Sequence, residues 1–204
     1  MVLLVAVVAN RLATPDLVDT QARTDILAVI ASGGLITNGV YLLDLNIREA
    51  EKVTLIGTFV QEYDSNLPPE AMKEVKWMAE SLLQASAATS VLLYREGRTL
   101  CRLGVMGPQP VMKSGPTLEK SMREGFDGRE LYLPALQVLP GKIEFDYLPE
   151  NCQGVLLQPV LDGTGVVVLG TSQARVFTPK DIAWVEAVCE RGTLPLRELL
   201  ATTM

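Results

Sequence analysis

The sequence predicts an α+β protein: a central antiparallel sheet with flanking helices, preceded by an N-terminal transmembrane helical hairpin. Near the front stands an uncharged run of eighteen residues, Ile26 to Leu43. That is close to the length of about 20 apolar residues that a bilayer core demands. From residue 46 onward, short apolar runs alternate with turn residues and amphipathic stretches, the pattern of a water-soluble domain. The clearest piece is a pair of β-rich runs, GVLLQPV and VVVLGTS, followed by a capped helix.

Composition removes several function classes. The chain has 204 residues, 48% of them hydrophobic, which suffices for one well-filled core with appendages. A net charge of −6 without any Lys/Arg-rich stripe argues against nucleic-acid binding. Histidine is absent. That excludes Ser-His-Asp and Cys-His catalysis within the chain and removes the commonest haem and zinc ligand. The three cysteines, Cys101, Cys152 and Cys189, are odd in number and widely spaced, so a reducing compartment and structural roles are expected.

The first forty-five residues form the expected membrane hairpin. Met1 to Ala9, MVLLVAVVA, is wholly apolar, but nine residues cannot cross a bilayer. They are expected to be the tail of a truncated first helix whose start lies upstream. Residues 10–25, NRLATPDLVDTQARTD, then make the polar connection, broken at Pro15-Asp16 and kept out of lipid by their charges. The second helix is expected at about 26–43. Small residues around Gly34 would let another helix approach, Asn38 wants a partner, and Tyr41 suits an interfacial belt. The plain alternative is a buried helix pair in a soluble protein. Candidate partner contacts are Pro15, Asp16, Gln21, Arg23, Asp25 and Gly34, although capping and topology would also explain these residues.

Residues 46–204 read as the soluble domain. VTLIGTFVQEY at 53–63 is a strand or strand pair. Pro68-Pro69 opens a helix whose apolar stripe is Met72, Val75, Met78, Leu82 and Leu83, with Trp77 at its border. TSVLLYREGRTLCRLGVMG at 89–107 is a hairpin turning at Glu96-Gly97. Residues 108–116 form a loop, and Thr117 is placed to cap a short helix to Glu124. Proline-broken runs at 131–149 suit edge strands or crossing loops. The hairpin at 154–172 turns at Asp162 to Gly165. Thr178 caps the last helix, Pro179 takes its first position, and Ile182, Val185, Ala187, Val188 and Cys189 face inward.

Two strands, a loop ending in Phe-Thr-x-x-Asp and a closing helix resemble the exit of a GAF domain. Two further stretches, TPDLVDTQARTDILAV at 14–29 and LPENCQGVLLQPVLDGTGVVVLGTSQARVFTPKDIAW at 148–184, resemble the CCB family, named for cofactor assembly of complex C. Gln-x-Arg-x-Asp at 21–25 is similar to the start of that family's second membrane segment. Leu-Pro-x-Asn-x-Gln at 148–153 is similar to its approach to a core strand. Val176 departs from the glycine expected before Phe-Thr.

The resemblance implies a thylakoid protein of chloroplasts or cyanobacteria, with two membrane helices and a GAF-like domain on the stromal or cytoplasmic side. It implies assistance in covalent attachment of the c-type haem to cytochrome b6, with apocytochrome b6 and a sister CCB-family protein as partners. No permanently bound cofactor is expected, and transient haem contact is left open. Because catalytic groups are missing, a scaffold is expected rather than an enzyme. The alternatives are a GAF-type small-molecule sensor and a permanent accessory component of a photosynthetic complex.

Overall fold

Runs such as Val91 to Leu93 and Val166 to Leu169 are apolar at consecutive positions, so both faces of their strands must be covered. The computed structural model, which describes residues 19–47, 50–110, 115–124 and 130–201 together with Val5 and Ala9, covers them both. The chain divides into two compact units, Met1–Glu49 and Ala50–Met204.

Helix α1 (Asp19–Ile47) makes up most of what is described of the first unit. The second unit runs β1 (Thr58–Tyr63), α2 (Pro69–Ala85), β2 (Ala88–Arg95), β3 (Arg98–Met106), α3 (Pro116–Glu124) and β4 (Leu131–Leu133). Two 3-10 turns follow, Leu136–Val138 and Pro140–Phe145, then β5 (Gly154–Val160), β6 (Gly165–Thr171) and α4 (Pro179–Ala201). The six strands lie in the order β1-β3-β2-β6-β5-β4, and every neighbouring pair is antiparallel.

The predicted α+β class, with helices on a central antiparallel sheet, is therefore what forms. On one face, Leu93, Leu103, Leu156 and Leu169 pack under α2 and α4 through Val75, Met78, Leu82, Val185 and Cys189. On the other, Leu92, Leu157 and Val168 meet Leu118 of α3, Leu136, Phe145, Tyr147 and Leu148. In α2, Ala71 and Ala79 are buried where the expected stripe had Met72, which is only half-buried. Gly192 lets α4 come close to α2, since a Cβ there would lie 2.5 Å from Cβ of Met78. Ala187, expected to face inward, is exposed; the buried line of α4 continues to Leu196 instead.

Turn and cap chemistry sets several boundaries. Glu96 and Gly97 both have positive φ, as a two-residue hairpin turn requires. At α4, Oδ2 of Asp181 accepts from the Thr178 backbone N–H at 2.8 Å and hydroxyl at 2.7 Å, while Thr178 Oγ1 accepts the Asp181 N–H at 3.3 Å. This reciprocal cap holds the Asp181 carboxyl below its ordinary range, chiefly through the Thr178 hydroxyl. Thr117 does not cap α3 as expected. The helix begins at Pro116, and Glu144 bonds both the Thr117 N–H at 2.8 Å and its hydroxyl at 3.0 Å.

Two N-terminal expectations are corrected. The polar connection is expected through residue 25, but α1 already begins at Asp19, because no proline or glycine interrupts Asp19 to Asp25. Among the described residues no helix is long and apolar enough to cross a membrane, so the transmembrane hairpin has no support. Polar and small residues from Ser32 to Gly39 dilute the apolar run. Of the first helix only Val5 and Ala9 are described, both helical. The 53–63 stretch forms a strand only from Thr58; residues 50–56 belong to no helix or strand, and Gly57 is a bend.

The turn at 148–153 joins the pieces. Asn151 Oδ1 accepts the Ile56 N–H and its amide donates to the Thr54 carbonyl, both at 2.8 Å. The Gln153 N–H donates to the Thr171 carbonyl at 2.9 Å, and the Gln153 carbonyl accepts the Leu136 N–H at 2.8 Å. Gln137 donates to the carbonyls of Glu150 at 2.9 Å and Cys152 at 2.7 Å. Asn151→Ala is expected to destabilise the fold by about 1 kcal/mol, read from the urea midpoint, because two exposed bonds are lost. Gly192→Ala should cost more, about 2 kcal/mol in the same measurement, because α4 must shift away from Met78.

Candidate functional site

A helix in water normally hides its apolar side chains along one stripe, and α1 does not. Ile26, Leu27, Val29, Ile30, Leu35, Ile36, Val40 and Tyr41 are all exposed, Leu35 by 71%. At about 100° per residue these positions are spread around most of the helix circumference. Two of its hydroxyls are satisfied internally: Ser32 donates to the Ala28 carbonyl at 2.7 Å, and Thr37 donates to the Gly33 carbonyl at 2.9 Å. Such back-bonding lets a polar side chain enter an apolar medium without an orphaned donor. Gly33, Gly34 and Gly39 have open space where a Cβ would stand.

The sequence-derived contact residues are distributed unevenly. Gly34 is exposed in the middle of α1. Gln21, Arg23 and Asp25, expected in a connecting loop, belong to the first two turns of the helix. Pro15 and Asp16 lie outside the described residues.

The thiols offer no reactive centre. Cys101, Cys152 and Cys189 are all buried and free. Burial pushes Cys101 up to about 12, and Cys152 up to about 11 despite hydrogen bonds to the carbonyls of Thr171 and Gly154. Burial raises the Cys189 thiol as well. Arg102 gives Cys101 no help, because it turns to the opposite sheet face and pairs with Glu62 at 2.9 Å. Among the described residues no group of three or more acidic or thiol side chains could hold a metal ion.

Sequence reasoning missed an apolar cavity of about 610 Å³ beside the two 3-10 turns. Pro108, Leu136, Leu139, Phe145, Leu148 and Pro149 line it, together with the exposed Lys142, whose ammonium donates to Gln137 at 3.2 Å. Its walls come from segments forty residues apart, and only the density of prolines and leucines at 134–149 hinted at it.

A solved structure with a similar fold is a type II free methionine-R-sulfoxide reductase from Thermoplasma acidophilum. It has a TM-score of 0.52 and 12% identity, covering 63% of this chain and 92% of that one. At that identity the likeness is one of fold. The PixJ GAF domain of Thermosynechococcus elongatus, in its blue-light absorbing form, gives a TM-score of 0.48 at 15% identity, over 67% of this chain and 93% of its own. In sequence, the chain is 30% identical over 202 residues to the chloroplastic cofactor assembly of complex C protein CCB4 of Arabidopsis thaliana. That match spans 92% of this chain and 67% of the relative. The profile of one family matches residues 1–191, taking in both α1 and the whole sheet. The chain therefore belongs to the CCB2/CCB4 family of proteins for cofactor assembly of complex C.

Proposed function

We propose that the chain is an assembly factor for the cytochrome b6f complex, assisting covalent attachment of the c-type haem to cytochrome b6 as a scaffold. Family membership along nearly the whole chain supports the assembly role. The observation that carries the scaffold reading is α1, with apolar side chains turned outward on most of its circumference. A helix of that kind is stable only against lipid or the apolar flank of another protein. In this reading α1 holds the factor at the thylakoid membrane of a chloroplast or cyanobacterium. The sheet unit, on the stromal or cytoplasmic side, holds apocytochrome b6 or a sister CCB-family protein. Haem passes as substrate, and thioether chemistry takes place on the client.

A second reading, a small-molecule sensor, is favoured by the 610 Å³ cavity, which lies in the usual size range for ligand pockets. A thermal-shift screen against nucleotides and tetrapyrroles separates the two. A saturable rise in melting temperature that Leu139→Glu abolishes would establish the sensor.

The scaffold reading is tested in a strain lacking the protein, complemented with wild-type chain or with Ile30, Leu35 and Val40 all replaced by Ser. The variant is expected to leave the membrane fraction and to fail to restore covalent haem on cytochrome b6. Full restoration by a variant found only in the supernatant would sink the proposal, as would thioether formation by the purified protein with haem and a peptide thiol alone.

The buried thiols also give a pH signature. Cys101 and Cys152 lose their protons at higher pH in the folded state than their ordinary value of 9.0. Above pH 9 the unfolded chain sheds protons that the native state keeps, so stability falls as pH rises towards 11. Below pH 9 these groups make no pH-dependent contribution. Urea melts from about pH 7 to 11 should show a plateau and then a decline, and an aromatic disulfide reagent at about pH 8 should find no thiol before unfolding.

A further inference from the structure

We infer that the free edge of β1 is a self-pairing edge, through which two copies of this chain join into one continuous sheet. The inference does not depend on the proposed function. Among the described residues β1 pairs with β3 alone, and it stands at the end of the six-stranded order. The other end is β4, three residues long and followed by Pro134, which is too short to serve as a template. β1 has six paired residues, with no proline, no lysine and no bulge against β3. Its one charge, Glu62, is held by Arg102 at 2.9 Å.

The direction of its backbone groups follows from one bond. The Asp64 N–H donates to the Leu100 carbonyl at 3.0 Å, continuing the register Tyr63↔Cys101. Antiparallel pairs alternate, so the peptide groups of Thr58, Val60 and Glu62 also face β3. Those of Phe59, Gln61 and Tyr63 consequently face outward. The same three residues share the sheet face of α2 and α4, where Tyr63 packs against the core and Phe59 is 62% exposed.

That arrangement is self-complementary. A two-fold axis through Gln61 sets Gln61 opposite Gln61, and Phe59 of each copy opposite Tyr63 of the other. Every outward N–H and C=O then finds a partner, and two aromatic cross-strand pairs form on one face. Glu62 of one copy falls opposite Val60 of the other, so no like charges are opposed. A second copy of this chain therefore fits the edge by backbone register, aromatic pairing and charge at once.

The test uses the full chain in detergent micelles. Gln61→Cys places one thiol on the axis, at the separation that a hydrogen-bonded pair shares with disulfides. The native thiols do not compete because all three are buried. Mild oxidation is expected to convert most of this variant to a covalent dimer, while Ile143→Cys, a position 80% exposed on another surface, stays monomeric. Gln61→Pro, which removes one outward N–H and no bond to β3, should abolish the dimer seen by analytical ultracentrifugation while near-ultraviolet circular dichroism is kept. Gln61→Lys retains the backbone donor and opposes two like charges, so its dimer should weaken at low salt and recover at high salt. Crosslinking of Gln61→Cys no greater than that of Ile143→Cys overturns the inference. So does a folded Gln61→Pro or Gln61→Lys protein that dimerises as the wild type does at low salt.

Discussion

The turn at 148–153 is the constraint on which the sheet unit depends. Its backbone and side chains bond to the segment before β1 through Thr54 and Ile56, to β6 through Thr171, and to the first 3-10 turn through Leu136 and Gln137. Leu148 and Cys152 bury their side chains directly beneath it. Three separate pieces of chain thus meet at a stretch of six residues, and their hydrogen bonds are completed there. A peptide group left unmatched at such a place would cost more than the bond itself is worth. Leu-Pro-x-Asn-x-Gln at 148–153 thus has a structural meaning, that of a junction.

From that junction the double-sided sheet follows. β5 and β6 leave it as fully buried strands, and their flanking layers come from opposite parts of the chain. α2 and α4 cover one face, and Arg191 of α4 lies 4.7 Å from the ring of Trp77 in α2. α3 and the two 3-10 turns cover the other. Tyr132 of β4 ties the edge to the approach of α4, because its hydroxyl accepts the Phe177 N–H at 3.2 Å and the two rings meet edge-on.

Much of this was legible wherever local chemistry decides. Glu96-Gly97, Pro68-Pro69 and Thr178-x-x-Asp181 each fix a boundary within a few residues, and the structure follows them. The misreadings arise where distant partners decide. Thr117 carries the signature of a cap, but its ligand, Glu144, is twenty-seven residues away. Ala71 and Ala79 displaced Met72 because a helix lying close on a sheet favours small contacts, which hydrophobicity alone ranks low. The start of α1 was masked by its charges, which mark a boundary only if the helix must end where lipid ends. Of the candidate contacts, Gly34 stands exposed on α1, within the stretch read as a helix, whereas no local feature distinguishes the edge of β1, which emerges only from strand order.

The concealment of the three sulfur atoms bears on the company the protein can keep. A helper that carries accessible thiolates risks being captured by mixed disulfides whenever its client exposes cysteines that must stay reduced. Here each sulfur is sealed inside packed layers and held in its protonated form. The folded unit can therefore remain beside a redox-sensitive polypeptide and part from it again without leaving a covalent trace.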